Sequence, residues 1–544
     1  MREFRTKPLP SFAWVLAVVL VLLLAAALRL PGLHWWLPDA QHPGYSGHPD
    51  ETGVFAYARY MALGQLIPMQ FIYGGTLYFS LLNAFDYYGR LLGGTNELAN
   101  TILVGRYCFT ACSLLTVVLT WRIGARLFNP VTGLLAALFL ALSPAHAFLA
   151  QSIRPDEFSA LMGLLLVWMG VLILQGQPAR DRMYFTATGL LLGLTVALRF
   201  PFVVFGAAPV VAYLARERNA GWRGSLGALL RWRLPLLVAA AALAYALASP
   251  YSLLRPDLLQ AGLQVQKGYQ TGSFADAVDR GPGIYQYGWL TLQQALGIPL
   301  HLLALAGVLL AMTRWSAARL LLLAPALAYF IPITLINWVV VRYTVPLLPL
   351  LSLLAADALV SCTGPGPIRQ RLAAGVAAGL VAWTLLGDIA FLRIQTGRNS
   401  RQVATDWIEA NIPKGASIVE VQQYIPDVFL NPPIPAAYRH FTFVLGAGTE
   451  DLLLDDSADH DYIVVNSDTY RNMDRLGVRN QQNGAPALQR ILDSGHYQIA
   501  AQIALPVRLL GIDYSTQFTS HDFNIINPGE RIYRYVPAPA PVLN

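Results

Sequence analysis

The chain alternates long apolar runs with short polar breaks. Most runs are about 18 to 25 residues, long enough to cross a bilayer as a helix. The pattern predicts about eleven spans: residues 11–31, 101–121, 131–150, 158–175, 184–199, 201–215, 234–250, 289–312, 320–340, 343–361 and 372–392. The first run follows Arg2, Arg5 and Lys7, as a signal peptide would. It is too long for a signal core and ends in Leu28-Arg29-Leu30-Pro31 without a cleavage site, so it reads as an anchor. Leu66–Phe85 is apolar too, but Pro68, Gln70, Gly74, Gly75 and Asn83 interrupt it. It is expected to lie along the outer interface within a first outer loop covering residues 32–100.

The pattern changes at about residue 394. Residues 400–411 read as an amphipathic helix with a serine near its start. Ser417–Val421, Asp461–Val465 and Arg531–Val536 read as short strands between Pro- and Gly-containing loops. The expected architecture is a polytopic α-helical membrane domain, residues 1–393, followed by an extracytoplasmic α/β domain, residues 394–544.

Composition agrees. Of 544 residues, 55% are hydrophobic and 13% charged, against about 25% charged in an ordinary soluble domain. That excludes disordered and nucleic-acid-coating classes despite a net charge of +7. The basic excess is topological. Arg122 and Arg126, Arg180 and Arg182, Arg216 to Arg233, Arg314 and Arg319, and Arg369 and Arg371 all fall in alternate loops. The positive-inside tendency makes those loops cytoplasmic. The N-terminus is then inside, the C-terminal domain outside, and the protein multi-pass in a bacterial-type plasma membrane. Cys108, Cys112 and Cys362 lie in or beside apolar segments and form neither a disulfide framework nor a zinc spacing.

The outer loops carry the chemistry. An ion beside hydrocarbon is costly and so marks function. The first outer loop holds His48-Pro49-Asp50-Glu51 and Arg59; a second, tight loop holds Arg154-Pro155-Asp156-Glu157. Arg199 falls between two short spans, and Arg342-Tyr343 opens another. Guanidinium groups at that face suit phosphate oxygens. Lys267 and Arg59 are weaker candidates of the same type. His48 beside two acids gives a divalent metal little support. Asp451, Asp455, Asp456, Asp459 and Asp461 with His460 lack the glycine and ligand spacing of a calcium loop.

These residues, in order, resemble a known group. His48-Pro49-Asp50-Glu51 with Tyr57-Ala58-Arg59, Phe71-Ile72-Tyr73-Gly74 with Tyr78, and Arg154-Pro155-Asp156 are similar to the GT-C glycosyltransferases. So are Gly193 to Pro201, Ser249-Pro250-Tyr251 and Arg342-Tyr343-Thr344-Val345-Pro346. Within that superfamily the chain resembles the protein O-mannosyltransferase and aminoarabinose transferase branch, glycosyltransferase family 39-like and dolichyl-phosphate-mannose-protein mannosyltransferase-like. Members often carry lysine where this chain has Arg199.

The resemblance implies transfer of a sugar from a polyprenyl-phosphate donor to a protein, lipid or glycan acceptor, outside the membrane and with inversion. Asp50 would be the base, Asp156 would orient acceptor or sugar, and Glu51 would support them. Arg199, Arg342 and Tyr343, with Arg59 and Lys267, would hold the donor phosphate. His48, Arg154, Glu157 and Tyr73 would contact acceptor or sugar. The competing reading is a transporter or flippase of a lipid-linked glycan. Transporters gather polar groups near mid-bilayer and often repeat their halves, whereas here the polar groups gather at the outer ends.

Overall fold

A computed structural model describes residues 12–38, 47–48, 51, 75–93, 97–271, 281–336, 339–363, 366–422, 431–444, 460–467, 469–471, 485–493 and 495–536. Asp50, Arg59, Tyr73, Asp451, Asp455, Asp456 and Asp459 lie outside them, as do residues 66–74.

The chain is a helical membrane protein. Among the described residues six helices are long and apolar enough to cross a bilayer: Phe12–His34, Glu97–Leu127, Pro155–Gln175, Arg218–Ala248, Val341–Cys362 and Pro367–Thr396. Two bent pairs, Pro130–Ala141 with Pro144–Gln151 and Ile298–Thr313 with Ala317–Ile333, raise the number to eight if each is one span. The first pair turns at Ser143-Pro144, where proline cannot continue the hydrogen-bond ladder. The second bends by 118° at its break. Helices also cover Asp181–Leu198 and Ala207–Arg216. Every expected interval therefore contains helix, although not every such helix has a span's length and apolarity.

Small residues let these helices approach closely. A Cβ on Gly193 would lie 2.2 Å from the Ala241 carbonyl oxygen, and one on Gly189 would lie 2.3 Å from that of Leu237. The two glycines, four apart, form the small-residue stripe by which membrane helices pack in the absence of a hydrophobic drive. Val341–Cys362 is the most enclosed of these six helices, and Arg342 near its start is itself buried.

At the ends carrying the clustered arginines, charge is also structural. Asp181 is fully buried and accepts from both Arg216 and Arg233 at 2.8 Å. Arg319 donates to Asp357 at 2.7 Å. These arginines thus tie helix ends together beyond any role in orientation.

The helix Leu77–Leu91 buries Tyr78, Phe79, Leu82 and Phe85 and exposes Tyr87, Tyr88 and Leu91. Its buried side joins Ile102, Phe109, Ile153, Met162 and Leu198 in one apolar cluster. That cluster fixes the short loop before Pro155 from beneath.

The C-terminal region opens with the helix Ser400–Asn411, capped by Asn399 in a reciprocal box with Gln402. Strands follow: β1 (Ser417–Gln422), β2 (Arg439–Val444), β3 (Tyr462–Asn466), β4 (Tyr497–Ile503), the short pair β5 (Arg508–Leu509) and β6 (Ile512–Asp513), and β7 (Glu530–Tyr535). Five of them form a mixed sheet in the order β2-β1-β3-β7-β4. β1 is parallel to β2 and β3, while β7 is antiparallel to β3 and β4. All five residues of β3 are buried, as a strand covered on both faces requires.

This region is seated on the bundle by aromatic packing. Phe391, in Pro367–Thr396, stacks on Phe518 with centroids 4.3 Å apart and meets Phe148 at 4.7 Å. Phe523 packs edge-on against both Phe391 and Phe518. Phe523 belongs to a short helix, His521–Ile526, which this packing holds against the bundle.

Candidate active site

The second acid loop is built by its proline. Arg154 is the extended residue before the helix and Pro155 occupies the first turn, where its missing N–H costs nothing. Asp156 and Glu157 then fall in that first turn, where the helix end favours negative charge.

Asp156 is buried and forms a salt bridge with Nη1 of Arg199. Arg199 ends the helix Asp181–Leu198 in an extended conformation, just before Pro201. Its guanidinium also lies 5.3 Å from the ring centroid of Tyr343. The Arg342 guanidinium lies 5.6 Å from the same ring. Tyr343 therefore has two cations within cation–π range. Arg342 and Tyr343 are held in the 3-10 turn Val341–Leu347, which leads into the helix Leu348–Thr363.

The two acid loops are physically joined. Glu51 is fully buried and pairs with Arg106 through two parallel bonds, Nε to Oε1 at 2.9 Å and Nη2 to Oε2 at 2.7 Å. Its Oε1 also accepts the backbone N–H of Ile153 at 3.1 Å. Arg106 in turn donates to the carbonyls of Leu33 and Trp35 at 2.8 and 2.6 Å. Glu51 thus fixes the first outer loop to the end of the first span and to the start of the second acid loop.

His48 is buried, with Nδ1 3.5 Å from Nη2 of Arg154. Burial, reinforced by Arg154, Arg342, His521 and Arg106, pushes its pKa well below the usual histidine value. It is a neutral imidazole at neutral pH. Ser249 Oγ accepts the Thr76 N–H at 2.9 Å. Gly75 abuts the Ala197 carbonyl so closely that a Cβ would fall 2.0 Å from its oxygen. That contact seats the start of Leu77–Leu91 beside Arg199.

Glu157 faces elsewhere. Consecutive helical residues point about 100° apart, and Glu157 lies 3.6 Å from Nε2 of His146, both buried. Among the described residues neither of its carboxylate oxygens has a hydrogen-bond partner. His146 accepts from Arg29 at 2.8 Å, and Arg29 also donates to Ser113 at 2.9 Å. Glu157 therefore belongs to a buried polar group distinct from the Asp156–Arg199 pair. Lys267 is exposed on the helix Pro256–Thr271. Among the described residues no three His, Cys, Asp or Glu side chains are placed to hold a metal.

Two residues bonded to this cluster carry no mark in the outer-loop pattern. Arg106 is one, although an arginine within an apolar helix already demands a partner. Asp522 is the other. Its Oδ1 accepts from Nη1 of Arg154 at 2.6 Å and from Nη1 of Arg342 at 3.1 Å, while Oδ2 accepts the Arg342 backbone N–H at 2.9 Å. Burial opposes the carboxylate, but Arg342, Arg154 and His521 outweigh it and hold its pKa well below the ordinary range.

Comparison with known proteins gives a partial family match and a similar fold. Residues 91–253 match the dolichyl-phosphate-mannose-protein mannosyltransferase family. The archaeal oligosaccharyltransferase AglB from Archaeoglobus fulgidus, solved with an inhibitory peptide and a dolichol-phosphate, has a similar structure. Its TM-score is 0.53 at 13% identity, covering 94% of this chain and 78% of that one. ArnT from Cupriavidus metallidurans, bound to undecaprenyl phosphate, gives a TM-score of 0.50 at 14% identity over 96% and 98% of the two chains. No curated protein matches by sequence. The fold is similar to that of AglB and ArnT, and the family match covers residues 91–253 of the 544.

Proposed function

We propose that the chain transfers a sugar from a polyprenyl-phosphate donor to a protein, lipid or glycan acceptor at the outer face of the membrane, with inversion. The observation that carries this reading is the convergence of Asp156, Arg199, Tyr343 and Arg342 where helix ends meet. It supplies a carboxylate and paired guanidinium groups, the two kinds of group the reaction needs. AglB and ArnT were solved with polyprenyl phosphates, which supports a lipid-phosphate donor here.

In the proposed reaction an acceptor oxygen or nitrogen attacks the anomeric carbon on the face opposite the phosphate. The bond between that carbon and the phosphate oxygen breaks, and the polyprenyl phosphate leaves with the bonding pair. The acceptor proton passes to a carboxylate, for which Asp50 is proposed, with Asp156 orienting acceptor or sugar. Arg199 and Arg342 stabilise the charge gathering on the departing phosphate, and Tyr343 keeps both guanidinium groups in place. Little general acid is needed, because a phosphate monoester is already a weak base. Glu51 supports the site through Arg106 and Ile153.

The accompanying topology has about eleven spans, a cytoplasmic N-terminus and residues 394–544 outside. Purified protein incubated with a panel of polyprenyl-phosphate sugars, with products read by mass, tests the function. A sugar-sized mass gain on an acceptor, with release of polyprenyl phosphate, supports it; no transfer from any such donor removes it. Labelling from the cytoplasmic side at residue 500 would refute the topology.

A further inference from the structure

Asp522 lies 368 residues from Arg154 in sequence and 180 from Arg342, yet its carboxylate joins them. Arg342 is gripped at two points, through its backbone N–H and through Nη1. A carboxylate that takes both fixes the side-chain torsions between them. The Arg342 N–H is also one of the unsatisfied donors at the start of the turn Val341–Leu347, whose own preceding residue, Val340, provides no side-chain cap. Asp522 therefore caps that turn from another part of the molecule.

The same carboxylate holds Arg154, two residues before Asp156. The start of Pro155–Gln175, which bears Asp156, and the start of Val341–Leu347, which bears Arg342 and Tyr343, are thus tied through one buried side chain. Its neighbour Phe523 packs edge-on against the stacked rings of Phe391 and Phe518, and Ser520 N–H donates to Gln294 of the bundle at 2.8 Å. The carboxylate is consequently anchored on both sides.

We infer that Asp522 is a positioning residue: through its two-point grip on Arg342 the C-terminal region sets the guanidinium that receives the donor phosphate. This rests on the donor-phosphate reading of Arg342. Asp522 itself touches no substrate. It acts by reducing the orientations Arg342 must give up on binding, so its removal weakens phosphate affinity chiefly through Arg342.

The test uses the full chain in detergent and undecaprenyl phosphate, without a sugar, as the titrated probe. Wild type is expected to bind saturably, and Asp522→Asn to bind about tenfold more weakly in its folded fraction. In an Arg342→Ala background, Asp522→Asn should cause little further loss, because the residue it positions is gone. Unchanged affinity with only a lower melting temperature would overturn the proposal and leave a structural tie. Tighter binding would overturn it too, by showing that the carboxylate competes with phosphate. Losses that multiply in the double variant would show that Asp522 acts independently of Arg342. Absence of binding by wild type would instead remove the underlying donor-phosphate reading, and the proposal with it. If Asp522→Asn does not fold, Arg154→Met/Asp522→Asn removes the carboxylate together with one of its two buried cationic partners. That variant should bind more weakly than Arg154→Met alone, and equal affinity would again overturn the inference.

Discussion

Glu51 and Arg106 form a two-bond salt bridge in which neither side chain is accessible to solvent. Removing one partner of such a pair strands a buried charge, typically at a cost of about 3–5 kcal/mol. Arg106→Met should therefore lower the yield and melting temperature of purified protein sharply. Glu51→Leu/Arg106→Met, which removes both charges, should recover much of that loss. A melting temperature near wild type for Arg106→Met alone would show that the pair is not holding the first outer loop.

The Asp156–Arg199 pair calls for a different result. Asp156→Asn preserves shape and burial but loses the charge, so turnover is expected to fall by on the order of 100-fold or more with the protein still folded. Arg199→Ala and Arg342→Ala should act mainly on donor use, each weakening it about ten- to a hundredfold. A kinetic split between turnover and donor concentration dependence checks both. Equal effects of all three on turnover alone would contradict the proposed division of roles.

Glu157 supplies the matching control. It faces His146 rather than Arg199, so Glu157→Gln should keep transfer within about threefold of wild type while its melting temperature shifts. A loss of turnover as deep as that of Asp156→Asn would return Glu157 to the reacting centre.

Charge in the C-terminal sheet gives a pH signature. Glu420 of β1 and His440 of β2 are 2.8 Å apart. The hydrogen bond to Glu420, opposed by partial burial, raises the His440 pKa. A group whose folded pKa is raised contributes stability that is full below its unfolded value, about 6.5, and is lost as pH rises through the folded value. Burial raises the Glu420 pKa despite His440, which acts in the same direction. Wild type should therefore exceed His440→Gln in melting temperature by more at pH 6 than at pH 8. A constant difference would show that the imidazolium makes no contribution there.

Much of this organisation was legible in the residues because it is local. The helix at Ser400–Asn411 follows from its apolar spacing, and Asn399 caps it. The runs at 417–421, 461–465 and 531–536 lie within a residue of β1, β3 and β7. Their pairing was not legible, since alternation does not specify a neighbour or a direction. Arg154, Asp156, Arg199, Arg342 and Tyr343 stood out as ions and aromatics beside hydrocarbon, and the fold brings them together. The separation of Glu157 from Asp156 needed a helix and its partners. Asp522 stood in an ordinary polar segment, and only tertiary packing carries it to Arg154 and Arg342.

The most direct test of the central claim is release of polyprenyl phosphate from a polyprenyl-phosphate sugar by purified protein, in the presence of acceptor, comparing wild type with Asp156→Asn and Asp50→Asn. The account predicts release coupled one-to-one to sugar transfer by wild type, both products reduced by on the order of 100-fold or more in folded Asp156→Asn, and neither product from folded Asp50→Asn. Transfer at wild-type rate by either variant would contradict it.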